Sequence, residues 1–208
     1  METITRLFDH HTNALAAVSA LEAAGYSASD ISIVSNNADN WHAGHQHQND
    51  AVLSDDDNEA AEGAGKGAVT GGALGAGAGI LAGLGMLAIP GLGPVVAAGW
   101  LASAAVGAAV GAAAGGATGG LLGALKDAGH SDEDAHIYAE AVRRGGTLVS
   151  VKVPEHKRDQ AESILASHQS FDASTRGVTY REEGWERFDE KSAPYTLDQI
   201  NAERARYR

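Results

Sequence analysis

The 208-residue chain contains no cysteine. Disulfide bridging, a thiolate nucleophile and a cysteine-ligated metal centre are thereby excluded. Large side chains are also scarce, with 3 Phe, 3 Trp and 5 Tyr, so a folded unit here has little bulk for its core and gains from association. Positive charge is outnumbered: 15 Lys and Arg face 27 Asp and Glu, a formal net charge of −12. A nucleic-acid binder carries a basic stripe, so no nucleic-acid partner is expected. The opening Met1-Glu-Thr-Ile-Thr-Arg-Leu-Phe has neither the basic region nor the apolar run of a signal peptide, and the expectation is that this part is never exported. The most informative absence is internal. Residues 67–125 form a 59-residue stretch with no Asp, Glu, Lys, Arg or His, bracketed by Lys66 and Lys126.

Within that stretch glycine recurs with a step of four. Gly67, Gly71, Gly75, Gly79 and Gly83 form one run, and Gly107, Gly111, Gly115, Gly119 and Gly123 form the other. Pro90-Gly-Leu-Gly-Pro94 lies between them. On a helix, a step of four aligns residues on one slowly drifting stripe. The pattern predicts a glycine-zipper helical hairpin over 63–126, whose faces are contact surfaces for helix packing and oligomerisation. Residues 68–89 and 95–125, 22 and 31 positions, exceed the roughly 20 needed to span a bilayer. Small-xxx-small faces pair helices in lipid, and the two flanking lysines place both ends on the cytoplasmic side. Against this, only Val69, Leu74, Ile80, Leu81, Leu84, Met86, Leu87 and Ile89 supply large apolar surface to the first helix, about −2 to −5 kcal/mol on an insertion scale. Its glycines disfavour an isolated helix by several kcal/mol, at about 0.8–1 kcal/mol each. A lone hairpin is therefore poor in either solvent, and the stripes require a close partner.

The flanks read as α+β. Residues 3–8 form a strand, Asp9 or Thr12 caps a helix over 11–24 ended by Gly25, and Ile31–Ser35 is a second strand. Residues 36–62 are a polar, His- and Asp-rich linker. Ser131-Asp-Glu-Asp134 starts a helix stopped by Gly145-Gly146, Thr147–Val153 alternates as a third strand, a helix spans about 155–168, and Phe171–Arg176 is a weaker fourth strand. Residues 1–35 and 127–177 thus make two β-α-β halves. Together they predict a ferredoxin-like split β-α-β domain with the Gly/Ala-rich helical hairpin inserted. Residues 178–208 form a charged, aromatic tail in which Thr196-Leu-Asp-Gln199 matches a capping box.

Thr5-Arg-Leu-Phe-Asp9, Ala23-Ala-Gly-Tyr26, Asp30-Ile-Ser-Ile-Val34 and the segment from Asp134 to Val149 resemble the bacterial general (heat-induced) stress protein family, several members of which carry a glycine-rich apolar insertion at this point. The resemblance covers residues 1–35 and 121–200. It implies a stress-response role and no catalytic residues.

Other motifs are weighed against ordinary roles. His42, His45 and His47 offer imidazole ligands for Zn, Ni or Cu(II), yet their spacing matches no closed structural site and favours a solvated linker. His10-His11 reads as capping and surface. Gly65-Lys66-Gly67 lacks the Ser or Thr and the preceding strand of a P-loop, and Gly75-Ala-Gly77 and Gly91-Leu-Gly93 lack the context of a dinucleotide fingerprint. His136 and Glu140, one turn apart, read as a solvated helix face. Trp100 suits either a membrane interface near the hairpin tip or a core position. The resulting expectation is a non-enzymatic stress-response protein without cofactor. It has a cytoplasmic domain, and its zipper hairpin associates with the inner membrane and with itself. The alternatives are a soluble homo-oligomeric assembly packed through the zipper helices and a metal- or ligand-sensing module.

Overall fold

The computed structural model describes residues 1–44, 80, 84–104 and 120–207. The chain is mixed α+β around a five-stranded, wholly antiparallel sheet. Its strands are β1 (Glu2–Phe8), β2 (Ile31–Asn36), β3 (Gly85–Ile89), β4 (Gly93–Gly99) and β5 (Thr147–Val153), in the spatial order β1-β5-β2-β4-β3. The helices are α1 (His11–Ala23), α2 (Leu121–Asp127), α3 (Asp132–Arg143), α4 (Arg158–Ser167), α5 (Ala173–Glu182) and α6 (Leu197–Arg206).

Strand alternation sorts the core into two layers. Ile4 on β1, Ile31 and Ile33 on β2, and Val149, Val151 and Val153 on β5 face Ala14, Val18 and Leu21 of α1 and Ala161 and Leu165 of α4. Leu7, Val34 and Leu148 face the other way, toward α2, α3 and α5. Each face also carries a buried hydroxyl pair. Ser35 meets Thr147 at 2.7 Å in line with Ile33 and Val149, and Thr5 meets Ser150 at 2.9 Å in line with Leu7 and Leu148, so the buried hydroxyls satisfy one another.

The flanking strands and most helix boundaries follow the local signals. Ser131 caps α3 by accepting the Asp134 N–H, and Thr196 with Gln199 forms the full capping box of α6. Two expectations fail. The N-cap of α1 is His10, with no side-chain cap, because Asp9 is drawn away to Arg176 at 2.7 Å. The fourth strand shrinks to one bridge, Phe171 to Leu7, with two backbone hydrogen bonds of 2.8 Å. Asp172 ends it by accepting the Thr175 N–H at 2.7 Å, which starts α5 instead.

The largest correction concerns the middle of the uncharged stretch. Residues 85–89 and 95–99, expected as parts of two helices, lie in the strands β3 and β4, the latter starting at Gly93 inside the expected break, and β4 pairs with β2 from Ser32↔Gly99 to Asn36↔Val95. A short apolar run fits helix or strand equally well by periodicity. Here β2 presents an open edge whose backbone groups need partners, and Val95-Val96 suits a pleated surface. The glycine step also pauses between Gly83 and Gly107, so nothing helical is lost by pairing. Of the zipper positions, Gly123 lies in α2; Gly67, Gly71, Gly75, Gly79, Gly83, Gly107, Gly111, Gly115 and Gly119 lie outside the described residues.

Both flanks of the β-hairpin meet at one end of β2. The Ile80 N–H donates to Glu22 Oε1 at 2.6 Å, and the Ile80 Cδ1 methyl reaches within 2.8 Å of where a Cβ on Gly99 would stand. Residues 100–104 continue from Gly99 as helix. Trp100 therefore does not lie at a hairpin tip. Its indole N–H donates to the Asp30 carbonyl at 3.2 Å, and Lys152 Nζ sits 4.2 Å from its ring.

Candidate functional site

The densest polar constellation is a buried arginine–carboxylate–tyrosine network between α3, α5 and α6. Its hub is Glu140 on α3, whose side chain is fully buried. Arg143 reaches it through Nε at 2.9 Å and Nη2 at 3.0 Å, and Arg144 through Nε at 2.8 Å. Arg144 Nη1 extends to Glu183 Oε2 at 2.6 Å and Glu203 Oε1 at 3.1 Å. Its guanidinium lies 4.1 Å from the centre of the Tyr180 ring, a cation–π contact strengthened by desolvation. Arg206 joins the same two carboxylates from α6, at 2.6 Å to Glu183 and 3.2 Å to Glu203. Alongside, Arg176 holds Asp9 and lies 3.8 Å from the centre of the Tyr207 ring. Arg204 donates to Asp39 at 2.8 Å and to the Gly145 carbonyl at 2.9 Å.

The electrostatics are closed. Five guanidiniums (Arg143, Arg144, Arg176, Arg204, Arg206) meet five carboxylates (Asp9, Asp39, Glu140, Glu183, Glu203). Burial disfavours charge on Arg144, but hydrogen bonds to Glu140, Glu183 and Glu203 outweigh it and hold the group above its ordinary value. For Glu183, burial pushes upward, yet Arg144 and Arg206 draw its carboxyl below the ordinary 4.5. Burial pushes the Tyr180 and Tyr207 phenols upward, so both remain neutral donors. A cavity of about 20 Å³ lies among Arg144, Arg176, Tyr180, Glu203 and Tyr207, enough for one water. With its charges matched and its space that small, the cluster is built to join α3, α5 and α6 rather than to receive a substrate.

The sequence pattern misplaced part of this hub. Glu140 and His136, read as a solvated face, are both buried. The signal available was the Arg143-Arg144 pair one turn after Glu140, which a helix face brings into reach.

A second chain of polar groups joins His130 Nε2 to Thr5 Oγ1 at 2.7 Å, and Thr5 Oγ1 to Ser150 Oγ at 2.9 Å, while the Tyr138 hydroxyl donates to the Thr5 carbonyl. A histidine beside a hydroxyl suggests an activated nucleophile. Both hydroxyls are buried, so the arrangement knits the sheet to α3. Burial pushes the His130 imidazole below its ordinary 6.5, and burial also does so for His136. A depressed folded-state pKa means the unfolded chain binds protons more readily, so this contribution is complete above about pH 6.5 and declines as pH falls below it. The urea midpoint is therefore expected to drop between pH 7.5 and 5.5, and the drop to shrink in H130Q/H136Q. An equal drop in that variant assigns the effect elsewhere.

His42 sits on the 3₁₀ turn Trp41–Gly44, buried, its backbone N–H donating to Asn37 Oδ1 at 3.2 Å. His45 and His47 lie outside the described residues, as do Lys66 and the glycines beside it. Among the described residues no group of three potential metal ligands is brought together. His11 stacks on Trp41 with ring centres 4.3 Å apart. Gly91 and Gly93 form the turn between β3 and β4, covered by Phe188, Glu190 and Pro194, which leaves no room for a phosphate there. Neither family models, curated proteins nor solved structures give a match to this chain.

Proposed function

We propose that this is a non-enzymatic association protein whose folded domain carries the uncharged glycine-rich runs and whose function is homo-oligomerisation and attachment to a lipid bilayer. The observation that carries this reading is the attachment of the runs. The β-hairpin 85–99 is docked on a sheet, and its two flanks, Ile80 and the helical residues 100–104, converge at Gly99. The described residues beside both runs thus meet at one place, which favours zipper faces meeting each other or those of a second copy. The domain itself we read as ferredoxin-like. The order β1-β5-β2, with α1 and α4 on one face and Phe171 bridging the outer side of β1, matches a split β-α-β whose fourth strand is vestigial. A stress-associated role at the cytoplasmic face of the inner membrane belongs to the same proposal.

Chain length ranks the two kinds of association. With Ile80 tied to Glu22 and the hairpin docked, residues 68–79 and 105–119 remain, 12 and 15 positions. Neither reaches the roughly 20 needed to span a bilayer. Among the described residues no helix is long and apolar enough to cross a membrane. Self-association is therefore the function of the docked state, and spanning requires the hairpin to leave the sheet.

Sedimentation velocity with and without detergent, together with fractionation of cells, tests the reading. The expected result is an oligomer that G75L and G115L reduce to monomer and A76L leaves largely intact. A wild-type monomer found in the high-speed supernatant would overturn it, and equal effects of all three substitutions would show that the stripe is not the interface.

A further inference from the structure

Residues 183–207 do more than complete the arginine network. This segment leaves α5, crosses the turn of the β3–β4 hairpin and returns as α6. At the turn, Gly91 has φ +75° and Gly93 φ +81°, and a Cβ at either would collide with the segment. At Gly91 that Cβ would stand 2.9 Å from Glu190 Cα and 3.0 Å from the Phe188 ring; at Gly93, 2.9 Å from Pro194 Cβ. Phe188 is buried in the core layer that also holds Leu92, Val95 and Ala97 of the hairpin. Beyond the turn, Ile200 of α6 is fully buried against Gly145. Glu203 and Arg206 are tied to Arg144 and Glu183, and Arg204 to Asp39 and the Gly145 carbonyl. Both ends of the segment are thus fastened by ion pairs to α3, α5 and the end of β2, while its middle lies on the tip of an uncharged hairpin.

We propose that residues 183–207 are a clasp that keeps the β3–β4 hairpin docked on the sheet, and that opening it releases the uncharged stretch for association. The consequence for association rests on the function proposed above; the clasp itself does not. The polarity of the segment suits this work. Its outer surface is charged, and its closest approaches to the sheet and helices set side chains against glycines: Phe188 and Pro194 on Gly91 and Gly93 of the hairpin turn, and Ile200 on Gly145 after α3. Each fits only because no side chain stands opposite. An interface of glycine against one side chain is tight when closed and loses nearly all its contact area once displaced. The strand pairing beneath involves β3 at the sheet margin, with Met86 half exposed, and such a margin opens before a central strand does. Release would join residues 84–104 to the uncharged chain on either side of them, up to α2, and so supply the length a bilayer span demands.

Full-length F188A and I200A, each expressed with wild type as reference, test this by segment-resolved amide hydrogen exchange. Exchange in peptides covering residues 84–99 is expected to rise at least tenfold in both variants, while β1, the Ile31–Ser35 part of β2 paired with β5, and β5 itself stay within twofold of wild type. Unchanged protection of 84–99 in both variants would overturn the clasp, as would a loss spread evenly over the sheet, since the segment would then support the whole fold. In parallel, flotation with phosphatidylcholine–phosphatidylglycerol vesicles and sedimentation velocity read association. A several-fold rise in the vesicle-bound or oligomeric fraction alongside hairpin exposure supports both proposals. Hairpin exposure with no change in either fraction supports the clasp and overturns the function assigned to the uncharged stretch.

Discussion

R144M is expected to destabilise the folded chain by about 3–5 kcal/mol, the usual consequence of removing one partner from a buried ion pair. The thioether matches the stem in length but leaves Glu140, fully buried, with Arg143 alone, and leaves Glu183 and Glu203 with the more exposed Arg206 as their remaining shared donor. The Tyr180 ring also loses the guanidinium over its face. R143M should have a smaller effect, about 1–2 kcal/mol, because Arg143 pairs with one carboxylate, Glu140, whereas Arg144 reaches three. The discriminating variant is R144M/E140Q. Removing the hub charge together with its main partner should recover part of the loss, as coupled neighbours do not add. Urea unfolding at pH 7.5 supplies all three values, and a loss below 1 kcal/mol in R144M would show that the network is not what holds α6 in place.

G99A is the second large effect. Gly99 ends β4 with φ +85°, and a Cβ there would run into the Ile31 carbonyl oxygen and stand 2.8 Å from Ser32 Cα. Both obstacles are backbone of a central strand and cannot rotate aside. The left-handed conformation adds about 1–2 kcal/mol to an overpacking penalty of about 1–3 kcal/mol, so a total of roughly 2–5 kcal/mol is expected. G85A is the matched control on the same hairpin. Its Cβ would meet only the Ala97 carbonyl oxygen at 4.0 Å, and a change under about 1 kcal/mol is expected. If G99A unfolds at the same urea concentration as G85A, β4 does not pair with β2 in solution as described.

The elements β1, α1, β2, α3, β5, α4 and α6 were legible because each local signal agreed with its neighbours. Val149, Val151 and Val153 alternate, Ser131 and Thr196 precede acidic or amide residues at cap spacing, and Gly25 and Gly145 stop their helices. The network around Arg144 was not legible as a site. Its members come from α3, α5, α6 and the β1 and β2 termini, and no local pattern marks which of 15 basic and 27 acidic side chains will be buried together. Asp9 illustrates the difficulty. By position it is a helix cap, and only the approach of α5 makes it the partner of Arg176.

By itself the sequence determined the composition of each piece: charged, capped α+β flanks, and an uncharged centre with glycine at a step of four. Those are properties of neighbouring residues, read through periods of 2 and 3.6. The tertiary structure decided what the centre of that stretch becomes. Residues 85–99 are as apolar as their flanks and could lie in a helix or a strand. They are strands because the open edge of β2 offers hydrogen-bond partners to β4, and because Phe188, Glu190 and Pro194 arrive from a distance of about a hundred residues to cover the turn. Local preference there is close to even, so long-range pairing sets the outcome.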